Sequence, residues 1–147
     1  MNLPADVAAA LDAAADDHTA ARAELDTLVR IPSISADTAH VRDVDACAGT
    51  VADMMRASGL EEVRELRVGG GHPYVVGEWC HAPDAPTVLL YAHHDVQPAG
   101  YVERWSSDPF EATSGATVVS SAAVPPTTRR GYGGAPRRGA RLVAHRG

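Results

Sequence analysis

A continuous apolar run, TVLLYA at positions 87–92, constrains the fold of this chain more than any other feature. A strand covered on both faces shows this continuous pattern, whereas a strand with one solvated face alternates apolar and polar residues. We therefore predict a central strand at 87–92 that is buried on both sides. Covering both faces requires further layers of structure, so the run favours an α/β layered domain.

The segments before this run predict two helices. Apolar residues recur every three or four positions over residues 4–30 and again over residues 41–55, which is typical of amphipathic helices. Asp37 or Thr38 suits the start of the second helix as a capping residue, and Gly59 suits its end. The first helix must end before Pro32, because proline disfavours a helical residue ahead of it.

Two shorter segments, 63–68 and 73–79, predict strands on either side of a turn at the triple glycine. The predicted order is therefore two helices followed by about three strands, the last of them buried. This order indicates the α/β class. In open α/β sheets, ligands bind just beyond the carboxyl ends of the strands.

Beyond the end of the predicted buried strand stand His93, His94 and Asp95. A neutral imidazole is a common zinc ligand, and a carboxylate can hold its other ring nitrogen and fix the tautomer. In an extended segment, residues two apart point to the same side, so we expect His93 and Asp95 to cooperate while His94 points away. Taken alone, a His-x-Asp motif is a weak signal, and an ordinary solvated loop is the more common explanation of it.

The surrounding segments make the motif more specific. The sequence AHHDVQP (92–98) and then WSSDPF (105–110) resembles the co-catalytic zinc metallopeptidases, whose pattern is G-H-x-D-V-Q-P followed by W-x-x-x-P-F. This family includes carnosinase-like dipeptidases, aminoacylases, succinyl-diaminopimelate desuccinylases and glutamate carboxypeptidases. LVRIPSISAD (28–37) and GHPYVVGE (71–78) resemble its opening segments. The resemblance covers about residues 20–113 and is closest to the dipeptidase branch.

The resemblance implies roles for two residues. His93 matches the position of a ligand of one of the two zinc ions, and Asp95 matches the residue that orients this histidine. The candidate metal ligand is therefore His93, and the candidate catalytic residue is Asp95. Ala92 replaces the family's glycine. His72 and His81 match no such pattern, and we expect both to be surface loop residues.

The implied fold is an incomplete α/β/α zinc-peptidase catalytic domain over residues 1–113. The implied function is zinc-dependent hydrolysis of peptide or N-acyl amino acid amide bonds, and the intact family is often homodimeric. Such an enzyme also needs a carboxylate that bridges the metals and a Glu that acts as base, and the family takes them from later motifs. After Thr113 the chain has no Asp, no Glu and only His145. We therefore expect this chain alone to be inactive, with at most a weak single zinc site.

The composition changes abruptly after Thr113. Residues 1–113 carry seven Arg and all 19 acidic residues, whereas residues 114–147 carry six Arg and no acid. The tail is rich in Arg, Gly and Pro, and we predict that it is disordered. One permitted coding of residues 114–131, read two bases later, translates as RGDGRLFGRGAADDKAG. This contains the family's next motif, G-R-G-x-x-D-D-K, so we predict that the tail is read out of its ancestral frame.

Two other functions remain open at this stage. The chain could be a small non-catalytic protein whose basic tail binds RNA or another anion, although its strongly acidic body disfavours a nucleic-acid partner. Alternatively, a separately encoded remainder could restore activity.

No apolar stretch is long enough for a membrane span, and the first residues do not match a secretory signal. With two cysteines and no CxxC pair, we expect free thiols and a cytoplasmic location.

Overall fold

The computed structural model describes residues 4–82, 84–113 and 140–144 of the chain. These residues form three α-helices and one four-stranded sheet, with short 3-10 helices at Thr38–His40 and Val102–Arg104. The elements are α1 (Ala5–Asp16), α2 (His18–Val29), α3 (Val41–Ala57), β1 (Glu61–Leu66), β2 (Tyr74–Trp79), β3 (Val88–Ala92) and β4 (Ala140–Ala144). No helix within the described ranges has the length and apolar character needed to cross a membrane.

The helix predicted over residues 4–30 is divided into α1 and α2 at the single residue Asp17. The hydrogen-bond ladder continues through this point, because the Asp17 N–H donates to the Ala13 carbonyl at 3.0 Å and its own carbonyl accepts from Ala21 at 2.9 Å. The prediction is therefore correct in extent and misses one local interruption. α1 buries none of its residues, and α2 buries only Val29.

The predicted second helix is confirmed as α3. The side chain of Asp37 accepts a hydrogen bond from the Ala39 N–H at 2.9 Å and so caps the short 3-10 turn that leads into the helix. At the other end, Gly59 adopts a φ of 82°, which a residue with a side chain rarely adopts. This turn lets the Leu60 N–H donate to the carbonyl of Met55 at 3.0 Å, which ends the helix.

The four strands lie in the order β1-β2-β4-β3. β1 pairs with β2 and β2 with β4 in antiparallel fashion, whereas β4 and β3 are parallel. The five residues 140–144 thus separate β2 from β3, although the sequence predicted a disordered tail there. The segment ARLVA contains residues that favour strands, and it pairs with a strand on each side. Residues 114–139 and 145–147 of the tail lie outside the described residues.

The core of the molecule lies between α3 and the β1–β2 half of the sheet. Ala48, Ala52 and Met55 of α3 pack with Val75 of β2, and none of the four is more than 3% exposed. α3 approaches β2 closely at Gly77, where an added Cβ atom would lie 2.9 Å from the Met55 methyl group. This packing fixes the covered half of the sheet.

β3 departs from the sequence prediction. The strand forms at the predicted place, but the prediction that it is central and buried is wrong, because it lies at an edge of the sheet and all five of its residues are exposed. Leu89 is 63% exposed and Tyr91 is 58% exposed. The physical reason is the position of the helices, since α3 packs on β1 and β2 and the only described element against β3 is β4.

Candidate functional site

The segment that leaves β3 is joined to the segment that leaves α2. Ile34 and Val96 form a parallel β-bridge, and the Val96 N–H donates to the Ser33 carbonyl at 3.0 Å. Ser33 and Ile34 are both buried at this junction. The contact brings residues about 60 positions apart in the chain together and holds the loop that carries His93 and Asp95.

The imidazole of His93 has one occupied nitrogen and one free nitrogen. Its Nδ1 lies 2.8 Å from the backbone carbonyl of Asp95. Because a carbonyl oxygen only accepts hydrogen bonds, Nδ1 carries the proton, and the neutral ring keeps its lone pair on Nε2. The side chain is 52% exposed, and within the described part of the chain nothing is hydrogen-bonded to Nε2. This nitrogen is therefore available to a metal ion.

The carboxylate of Asp95 is buried beside this imidazole, with its side chain only 5% exposed. Its Oδ1 lies 3.4 Å from Nδ1 of His93 and makes no hydrogen bond with the described residues. Its Oδ2 accepts a hydrogen bond from the hydroxyl of Ser35. The buried negative charge thus faces the protonated nitrogen of His93, which favours this tautomer.

His94 is turned away from the pair, as the two-residue periodicity predicted. Its Nε2 donates to the Pro73 carbonyl at 3.1 Å. Its own carbonyl accepts two hydrogen bonds, one from the Ser33 hydroxyl at 3.1 Å and one from the Cys47 thiol at 3.2 Å. His94 therefore anchors the loop to its surroundings on the side opposite to His93.

Cys47 lies beneath the loop on α3 and is 1% exposed. Burial raises the pKa of its thiol, a hydrogen bond with Ser33 lowers the pKa, and the charge of Asp95 raises it, with a net increase. The thiol is therefore protonated at neutral pH and can act as the donor to His94. Both Cys47 and the exposed Cys80 are free, as the sequence predicted.

Comparison with curated proteins finds several relatives of this chain. The chain is 35% identical over 100 residues to the Cys-Gly metallodipeptidase dug1 of Schizosaccharomyces pombe, a match that covers 60% of this chain and 20% of that protein. It is 39% identical over 75 residues to the succinyl-diaminopimelate desuccinylase of Xanthomonas euvesicatoria, covering 50% of this chain and 19% of that protein. This chain is a homologue of the metallodipeptidases and desuccinylases.

Solved structures share the fold of this chain. The di-peptidase Dug1p of Saccharomyces cerevisiae superposes with a TM-score of 0.61 at 22% identity, over 74% of this chain and 24% of that one. Human carnosine dipeptidase 1 superposes with a TM-score of 0.58 at 25% identity, over 69% of this chain and 23% of that one. No family model matches the sequence. The chain spans about a fifth of the length of these curated relatives.

The described residues of this chain offer one donor for a zinc ion and no more. A metal centre held by protein alone needs three or four donors. Within residues 4–82, 84–113 and 140–144, no group of three or more His, Cys, Asp or Glu side chains is placed to hold a metal ion. His93 presents one nitrogen, and the roles of His93 and Asp95 in metal binding therefore stay predictions.

Sequence reasoning missed part of the surroundings of this pair. Ser33, Ser35 and Cys47 all contact the loop, and none was singled out as a site residue. His72 was predicted to be a surface residue, but it is half-buried and its Nε2 donates to the Ser35 carbonyl at 3.1 Å. His81 is a surface residue as predicted and pairs with Glu61. The motif-like segment IPSIS (31–35) was the signal that could have identified both serines.

Trp105 contributes to the loop that follows the pair. Its Nε1 donates to the Ala99 carbonyl at 2.9 Å, and its side chain is half-buried. Arg104 lies over the ring of Tyr101 at 4.7 Å, a cation–π contact in the same loop. The hydrogen bond of Trp105 shows that this residue packs within the loop.

Proposed function

We propose that this chain supplies the segment of a zinc-dependent, dipeptidase-like hydrolase that carries the histidine ligand His93. The observation that carries this proposal is the state of the His93 ring. Its Nδ1 is held at the Asp95 carbonyl, while Nε2 has no hydrogen bond from the described residues and the side chain is 52% exposed. That is the geometry that a metal-binding histidine requires. The similarity to Cys-Gly metallodipeptidases supports it.

The substrate class that we propose is a dipeptide or an N-acyl amino acid, cleaved at its amide bond. A zinc ion bound at His93 would polarise the amide carbonyl and lower the pKa of a bound water. His93 would bind the metal through Nε2, and Asp95 would fix its ring. We place the enzyme in the cytoplasm, with no membrane and no nucleic acid as partner, and the whole enzyme as a homodimer.

We propose further that the 147 residues alone do not catalyse hydrolysis. The bridging carboxylate and the catalytic Glu of the family have no counterpart among the described residues near His93. The shifted reading of residues 114–131 contains the G-R-G-x-x-D-D-K motif, whose Asp residues would supply a carboxylate, while the Glu would come from a later E-G-x-E-E motif. Residues 114–147 are, on this proposal, an Arg/Gly/Pro-rich segment read out of frame.

A test of this proposal is to determine the sequence of the gene from the Phe110 codon to well beyond the Gly147 codon. We expect a frame that continues as GRLFGRGAADDK and later encodes E-G-x-E-E. The chain from that frame should hydrolyse a Cys-Gly dipeptide or an N-acyl amino acid only with zinc, and His93→Ala should abolish this activity. The proposal fails if no frame near the gene encodes these motifs, or if the His93→Ala enzyme retains activity.

The charge of the tail favours a second candidate function. Residues 114–147 carry six Arg and no acid, which is a composition typical of segments that bind RNA or other anions. This candidate predicts RNA binding by the chain that weakens steeply with salt and disappears when residues 114–147 are deleted. The acidic body, with all 19 acidic residues before the tail, makes it the weaker candidate.

A further inference from the structure

Ser35 makes the one hydrogen bond that the carboxylate of Asp95 receives from the described residues. Its hydroxyl donates to Oδ2, while Oδ1 of the same carboxylate remains without a hydrogen bond and faces Nδ1 of His93 at 3.4 Å. A carboxylate with a 5% exposed side chain has little access to water. The orientation of Asp95 therefore depends on the Ser35 hydroxyl.

The backbone of Ser35 is itself held on both sides. The preceding residue, Ile34, forms the β-bridge with Val96, immediately after Asp95. The carbonyl of Ser35 accepts a hydrogen bond from Nε2 of His72 at 3.1 Å. Because these contacts fix the main chain, the hydroxyl of Ser35 lies at a defined place relative to the carboxylate.

We infer that Ser35 is a positioning residue for the His93–Asp95 pair, an inference that rests on the proposed zinc site. Its hydroxyl holds Asp95 so that the negative charge faces the N–H of His93. This charge adds to the hydrogen bond from Nδ1 to the Asp95 carbonyl in keeping the proton on Nδ1 and the lone pair on Nε2. Partners of this kind control both the tautomer and the affinity of a metal-binding histidine. Ser35 acts through Asp95 and contacts neither metal nor substrate.

The chain offers matched variants for a test. Ser35→Ala removes the hydroxyl that contacts Asp95, and Ser35→Thr keeps a hydroxyl at a half-buried position. Ser33→Ala removes a buried hydroxyl from the same segment, but this one donates to the carbonyl of His94. A general loss of packing should affect the two alanine variants alike, whereas a positioning role should separate them.

The readout is the tautomer of His93 in the metal-free full chain, measured by long-range ¹⁵N–¹H NMR, followed by titration with zinc alone. We expect the Nδ1–H tautomer in the wild-type, Ser35→Thr and Ser33→Ala chains, and a mixture of tautomers in Ser35→Ala. Zinc affinity should fall about tenfold in Ser35→Ala, the lower end of the range for such partners.

Two results would overturn the inference. One is a Ser35→Ala chain with the wild-type tautomer, and the other is an equal change in Ser35→Ala and Ser33→Ala. If zinc does not perturb His93 in the wild-type chain, the proposed function fails, while the tautomer measurement still decides the role of Ser35. The two failures are therefore distinguishable.

Discussion

Strands β2 and β3 have similar apolar sequences but very different surroundings. In β2, Val75 is completely buried under α3. In β3, Leu89, Leu90 and Tyr91 are all exposed, and Leu89 is 63% exposed. The difference lies in the layer that covers each strand, because α3 packs on β1 and β2 but not on β3. An apolar run thus predicts a strand, while its burial depends on elements elsewhere in the chain.

The largest expected effect on stability tests this difference directly. Met55→Ala opens a cavity in the α3–β2 core, where Met55 is 3% exposed, and should lower the free energy of unfolding by about 2–5 kcal/mol. The matched change in the exposed strand, Leu89→Ala, should alter it by less than about 0.5 kcal/mol. Urea unfolding of both full-length variants measures the two values. Equal losses would show that β3 is as well covered as β2.

A smaller effect on stability is expected at Ser33, which contacts the loop that follows β3. Ser33→Ala removes the hydroxyl that donates to the His94 carbonyl, and the Cys47 thiol on α3 remains as a second donor. We expect a loss of about 1 kcal/mol in unfolding free energy, which is typical of one buried hydrogen bond. Ser58→Ala, which removes an exposed hydroxyl at the end of α3, is the control and should change little. A neutral Ser33→Ala would mean that the loop is not anchored there.

The pH dependence of stability should separate the two cysteines. Burial raises the pKa of Cys47 in the folded chain above its unfolded value. The folded state thus holds this proton more tightly, so the contribution to stability is complete below about pH 8.5 and is lost as the pH rises through the folded pKa. Unfolding measured from neutral to alkaline pH should show a fall that Cys47→Ala reduces and Cys80→Ala does not. Faster modification of Cys47 than of Cys80 by a thiol reagent would contradict this account.

The smallest change in stability is expected from a charge on β3. Leu89→Lys places a lysine on an exposed edge strand, where it opposes pairing with other chains, and should change the free energy of unfolding by less than about 0.5 kcal/mol. The soluble fraction after centrifugation should nevertheless rise. Val68→Lys, at a residue that is 72% exposed outside any strand, is the control. If both variants gain solubility equally, the exposed edge of β3 does not limit the solubility of the chain.

Much of the local structure could be predicted from the sequence. The periodicity of α3, the capping by Asp37 and the turn at Gly59 are local signals, and each is confirmed. The exposure of β3 and the placement of β4 between β2 and β3 could not be predicted, because both depend on contacts between distant segments. For the site, a two-residue spacing predicted that His93 and Asp95 lie together, whereas the contact from Ser35 crosses 60 positions of the chain.

The central claim, that His93 presents Nε2 to a metal ion, is tested most directly by titrating the ¹⁵N-histidine-labelled chain with zinc. We predict that zinc shifts the Nε2 resonance of His93 before any other histidine nitrogen, with weak affinity. The shift should disappear in His93→Ala and persist in His81→Ala, whose imidazole pairs with Glu61. A first response at another histidine, or unchanged zinc binding in His93→Ala, would contradict the claim.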